Sequence, residues 1–168
     1  MTVQKLNHVA YRCNDAGETA EFYTEVLGLQ LRHTIVQDYV PSTQANEPHA
    51  HVFFEMADGS WVAFFDVAEE EHVDQEGHPD WAQHLALEVE TVEELETARQ
   101  QLVDRGMDVL GPVDHGFIQS IYFYDPSGHR LELAARTLDP ADLDRYAAQA
   151  WDVLEDWTRQ KKEKAGTS

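Results

Sequence analysis

The hydrophobic and polar positions of this chain form a pattern that occurs twice. Residues Lys5 to Arg12 (KLNHVAYR) read as a strand. Asn14 and Asp15 are placed to cap a helix reaching about Leu27, with Phe22, Tyr23, Val26 and Leu27 on one face. Gly28 suits the left-handed residue that ends such a helix. Strands are predicted at Gln30–Val36, His49–Met56 and Ser60–Asp66, the last two joined by the turn Ala57-Asp58-Gly59. Gln37–Pro48, with its two prolines, reads as a polar loop.

The second occurrence begins with a strand at Gln83–Val89. Thr91-Val92-Glu93-Glu94 is a capping box, opening a helix with Val92, Leu95, Leu102 and Val103 inward, and Gly106 closes it. Strands are predicted at about Met107–Val113, Phe117–Asp125 and His129–Ala135. The last two flank Asp125-Pro126-Ser127-Gly128, a turn because Pro presets one backbone angle and Gly tolerates a positive one. Setting His8 against His84 brings the copies into line, HVAYRCND against HLALEVET.

Duplication of this kind predicts an α+β fold of two repeated βαβββ modules. Their sheets can pair edge to edge and curl around a shared cavity. The expected organisation is a single domain over residues 1–136, with module one at about 5–66 and module two at about 83–136. An acidic linker at 67–82 joins them, and residues 137–168 form a C-terminal helix and tail. In that helix Asp139 caps, Pro140 takes the first helical position, and Leu143, Tyr146, Ala147, Ala150, Trp151, Leu154 and Trp157 share one stripe. Lys161–Ser168 reads as a frayed basic tail. A stripe with two tryptophans calls for burial, first against the domain itself and otherwise against a second subunit.

Composition narrows the partners. A net charge of -20 over 168 residues repels nucleic acid and anionic membranes, so neither is expected as a partner. At 42% hydrophobic the chain can build a core. Cys13 is the only cysteine, which excludes an intrachain disulfide. No apolar run is long enough to span a bilayer and no signal-peptide core follows Met1, so a soluble cytoplasmic protein is expected.

The candidate chemistry centres on His115–Glu132. This hairpin sets a histidine, a tyrosine and a carboxylate seven and ten residues apart, where they can face one cavity as half of a metal site. The doubled pattern, together with LNHVAYR, AQHLALEV and HRLELAA, resembles the vicinal oxygen chelate superfamily of glyoxalases, fosfomycin-resistance proteins and extradiol ring-cleaving dioxygenases. The resemblance covers roughly Leu6 to Ala135. It implies metal ligands on the first and last strands of the modules, which fall on His8, His84 and Glu132. The step from Gly128 to Glu132, repeated from Gly59, lands on Ala63, where glyoxalases commonly keep a fourth, carboxylate ligand. Alanine cannot ligate. A face of two histidines and one carboxylate suits non-haem Fe(II), with Mn(II) or another divalent ion also compatible.

Val113-Asp114-His115, five residues, Ile121-Tyr122, two residues, Asp125-Pro126-Ser127-Gly128, three residues and Glu132 resembles the extradiol dioxygenase signature over its length. By that resemblance His115 stands near bound oxygen or substrate, and Tyr122 hydrogen-bonds a ring hydroxyl, with Tyr124 on the same strand face as the alternative. Those enzymes usually carry a further acid–base histidine where this chain has Ser60 or Trp61. His51, ahead of His49, is the candidate to replace it. The expected function is extradiol-type cleavage of a catechol or related vicinal diol with O2, by a homodimer. The alternatives are a metal-dependent lyase or isomerase, and a non-catalytic small-molecule-binding resistance protein of the same fold. Each residue also has a plainer role: core for Phe53, Phe54, Phe64 and Phe65, and surface for His33, His72, His78 and His129. Glu69–Glu71 reads as a solvated charge cluster.

Overall fold

A computed structural model describes residues 2–68 and 81–165. Module one contains β1 (His8–Cys13), α1 (Ala16–Glu21), β2 (Gln30–Gln37), β3 (His49–Glu55) and β4 (Trp61–Val67). Module two contains β5 (Leu85–Val89), α2 (Val92–Asp104), β6 (Leu110–Asp114), β7 (Ile118–Tyr124) and β8 (Arg130–Arg136). A last helix, α3, spans Pro140–Ala165. The α+β architecture of two βαβββ modules plus a C-terminal helix is therefore present. His72, His78, the Glu69–Glu71 run and most of the linker lie outside the described residues.

The two sheets have the same internal order, β1-β4-β3-β2 and β5-β8-β7-β6. In each, the first and last strands of the module run parallel at the centre-edge pair, and the rest is antiparallel. The register makes the repeat literal. Ala10, Ala63 and Phe53 form one cross-strand row, and Ala86, Glu132 and Tyr122 form its counterpart. One row along, His51 opposite Phe65 corresponds to Ser120 opposite Ala134. Side chains alternate across a strand, so these rows share one face of each sheet.

The opposite faces carry the core. Phe54, Val62, Phe64, Ile121, Phe123 and Leu131 are fully or almost fully buried there.

 Leu95 and Leu102 of α2 fill the second half of this layer, and Phe22 and Tyr23 the first. Thr91 caps α2 by accepting from Glu94 N at 3.1 Å, as the capping box predicts. Val103, predicted inward, is 41% exposed because Leu102 takes the buried position on that turn.

The helix predicted up to Leu27 is α-helical only through Glu21 and widens into a π-helical segment at Phe22–Val26. Phe22 and Tyr23, which open this wider segment, are both buried in the core.

The modules are joined through the Asp-Pro-Ser-Gly turn. Tyr23 Oη donates to Asp125 Oδ2 at 3.1 Å, Asn14 N donates to Ser127 Oγ at 3.0 Å, and His129 Nε2 lies 2.6 Å from Arg12 O. His129, expected at the surface, is thus a half-buried bridge between modules, with its ring 5.0 Å from that of Tyr11. Burial raises the Asp125 carboxyl above the ordinary range, and burial likewise holds the Tyr23 hydroxyl in its protonated, donating form.

Two expectations change at this level. The sheets share no hydrogen-bonded ladder among the described residues, so they do not pair edge to edge within one chain. The stripe of α3 is not buried either. Leu143, Trp151, Leu154 and Trp157 are 50–73% exposed, and the helix continues through Lys161 to Ala165. No helix among the described residues is long and apolar enough to cross a membrane.

Candidate metal centre

β5 and β8 run side by side, and their register brings His84, just before β5, beside the start of β8. His84 Nε2 lies 2.7 Å from Glu132 Oε2. Glu132 is 3% exposed, although a carboxylate is among the side chains least often buried without partners. Its other oxygen, Oε1, accepts from Ser120 Oγ, which is fully buried on β7. Both carboxylate oxygens are therefore held, and a nitrogen and an oxygen donor converge on one point. That donor pair fits a divalent ion such as Fe(II), Mn(II) or Zn(II).

Tyr122 stands across from Glu132 on β7, with its ring edge-on to His84 at 5.8 Å. His115 Nε2 lies 2.8 Å from Tyr122 Oη. Burial, followed by the neighbouring Glu132 charge, raises the Tyr122 hydroxyl above its ordinary value and keeps it protonated. The guanidinium of Arg130 lies over the same ring, 4.5 Å from its centroid. Tyr124 is 45% exposed.

The structure thus brings His84, Glu132, Tyr122 and His115 onto one face of module two. It does not bring His8 there. His8 starts β1 on module one, exposed, with Nδ1 2.7 Å from Asn7 Oδ1 and its ring 6.2 Å from Phe53. His8 and Phe53 repeat the placement of His84 and Tyr122, with Ala63 where Glu132 would stand. Among the described residues no three His, Cys, Asp or Glu side chains gather where they could hold a metal.

His51 lies on the module-one face as well. Its ring is stacked on Phe65 at 3.6 Å and lies 4.0 Å from Phe53. Its Nε2 is buried without a hydrogen-bond partner. Burial, and then the nearby His8, His49 and His33, lowers its pKa to about 4, so it is neutral at physiological pH. His49 is buried with Nδ1 2.7 Å from Glu47 O, an anchoring contact that leaves His51 the better placed of the two. Sequence reasoning missed Ser120 and Arg130. The period-2 alternation that put Tyr122 and Glu132 on one face would have put both of these there too.

The Glyoxalase/Bleomycin resistance protein/Dioxygenase superfamily matches residues 5–133. The chain belongs to this superfamily. Among curated relatives it is 28% identical over 146 residues to the metallothiol transferase FosB of Staphylococcus saprophyticus, covering 86% of this chain and 84% of that one. Among solved structures, a glyoxalase/dioxygenase from Nostoc punctiforme is 25% identical with a TM-score of 0.59, covering 80% of this chain and 92% of its own. The fosfomycin resistance protein FosX of Listeria monocytogenes, solved with Mn(II) and sulfate, has a TM-score of 0.58 at 21% identity, covering 82% and 96%. The match spans both modules of this superfamily member and stops at Leu133, short of α3.

Proposed function

We propose that this superfamily member is a metal-dependent dioxygenase of the extradiol type, cleaving the ring of a catechol or related vicinal diol with O2. The observation that carries the reading is the His115–Tyr122 hydrogen bond, set on the same sheet face as the His84–Glu132 pair. His84 and Glu132 would hold the ion, with iron(II) favoured by the nitrogen and oxygen donors and manganese(II) compatible. Held by these residues, the ion would supply Lewis-acid activation of the diol and a route for electrons to dioxygen. Ser120 fixes the Glu132 carboxylate, so that its free lone pair points at the ion rather than swinging with the side chain. Tyr122, protonated, donates to a ring oxygen and orients the diol. His115 exchanges a proton at the Tyr122 hydroxyl and can pass it to the reacting oxygen.

The working form in this proposal is a homodimer. His8 and the His84–Glu132 pair occupy equivalent positions on separate faces, each with part of a site. A second copy that lays its module-one face over module two adds His8 as third ligand. It also adds Phe53 and Phe65 as an aromatic wall and the neutral His51 as a proton acceptor.

A second reading is a lyase- or transferase-type reaction that needs no dioxygen, favoured by the similarity to a metallothiol transferase over most of the chain. One experiment separates the two. Protein loaded anaerobically with iron(II) is mixed with a panel of catechols, and oxygen uptake and yellow ring-opened product are followed. The proposal expects both with at least one diol, and loss of both in His84→Ala and Glu132→Ala. A fully iron-loaded protein that consumes no oxygen with any diol sinks it.

A further inference from the structure

Arg130 is the first residue of β8 and shares the face of Glu132, two positions along the strand. Arg32, Arg99, Arg136, Arg145 and Arg159 each pair with a carboxylate. Arg130 pairs with none among the described residues, in a chain where 32 acidic residues face 12 lysines and arginines. Its Nε is buried without a hydrogen-bond partner, while the guanidinium lies on the Tyr122 ring. A buried donor without an acceptor is unfavourable, and an arriving anion removes that cost. The planar fork of arginine suits a carboxylate, and stacking on Tyr122 restricts the fork before the ligand arrives.

The position sets what the anion is attached to. Residues two apart on a strand are roughly 6.5 Å apart along it, which is about the width of one substituted ring. Tyr122 lies between them, under Arg130 and opposite Glu132. A diol bound at an ion held by His84 and Glu132 therefore has Arg130 within reach of an acidic substituent. A chain of net charge -20 repels a free anion, so a local cation is needed to admit one.

We propose that Arg130 forms a carboxylate subsite beside the His84–Glu132 pair and selects aromatic diols carrying a carboxylate on the ring or on a short side chain. This rests on the ring-cleavage reading for the diol half of the substrate. The carboxylate half is tested without turnover.

The test is calorimetric titration of the iron(II)-loaded protein, without oxygen, with catechol and with 3,4-dihydroxybenzoate. Wild type binds the acid about ten- to a hundredfold more tightly, as one charge-assisted pair allows. Arg130→Gln and Arg130→Met lose that advantage and bind catechol within about twofold of wild type. Equal binding of both ligands by wild type overturns the proposal, whatever the variants do. So does a preference that survives in both variants, or a loss of catechol binding equal to that of the acid, since the arginine then only supports Tyr122. Oxygen uptake measured in parallel separates the two ideas. An Arg130-dependent preference without oxygen uptake overturns ring cleavage and leaves the subsite standing.

Discussion

Glu132 has both carboxylate oxygens engaged, one by Ser120 and one by His84, and is almost completely buried. Burying a carboxylate without partners costs several kcal/mol, so this residue depends on its neighbours. Ser120 contributes no ligand of its own and acts as a positioning residue. Ser120→Ala is expected to weaken divalent metal binding about tenfold, in the range found for groups that orient a ligand. Competition with a chelator of known affinity measures this, and circular dichroism checks that the fold is unchanged. An unaltered metal affinity would mean that the strand backbone alone orients Glu132. At this scale the sequence was informative for Glu132 and Tyr122, because alternation assigns a face. It was silent on their partners, because which neighbours reach one another depends on cross-strand register.

Among the elements, the Asp125–Gly128 turn does more than reverse the chain. Asp125 Oδ1 accepts from Ser127 N and His129 N, both at 2.9 Å, while Oδ2 takes the Tyr23 hydroxyl of module one. Tyr23→Phe removes that donor and leaves a buried carboxylate oxygen without it, at a cost of about 1–3 kcal/mol. Urea denaturation followed by fluorescence should show the lower midpoint, with the slope unchanged. The turn itself was legible from Pro126 and Gly128, and so was the α2 cap from Thr91 and Glu94. The docking role was not, since it joins residues 102 positions apart. The π-helical segment was equally hidden, because Phe22, Tyr23, Val26 and Leu27 fit one face of a regular helix in pattern.

For the whole molecule, the unburied α3 stripe and the separation of His8 from the His84–Glu132 pair are the two features that motivate the proposed homodimer. An exposed run of Leu143, Trp151, Leu154 and Trp157 exceeds what isolated apolar surface residues explain. The homodimer proposal makes a complementation test available. His8→Ala and Glu132→Ala chains each lose metal when prepared alone. Unfolded together and refolded as a mixture, they should regain roughly a quarter of the wild-type content, because half the dimers are mixed and each mixed dimer keeps one intact site. Metal analysis of the separated dimer peak reads the result. No recovery above the two parents would place His8 outside the site.

The sequence by itself determined the repeat, the βαβββ order of each module and the face on which Tyr122 and Glu132 stand. Those follow from local periodicity, capping and turn chemistry, which act over a few residues. Tertiary structure alone decided that His84 reaches Glu132, that Ser120 and Arg130 join them, and that His8 stands apart on the other sheet. Each of these depends on how strands distant in sequence are registered and how the two modules dock, and no local pattern encodes it.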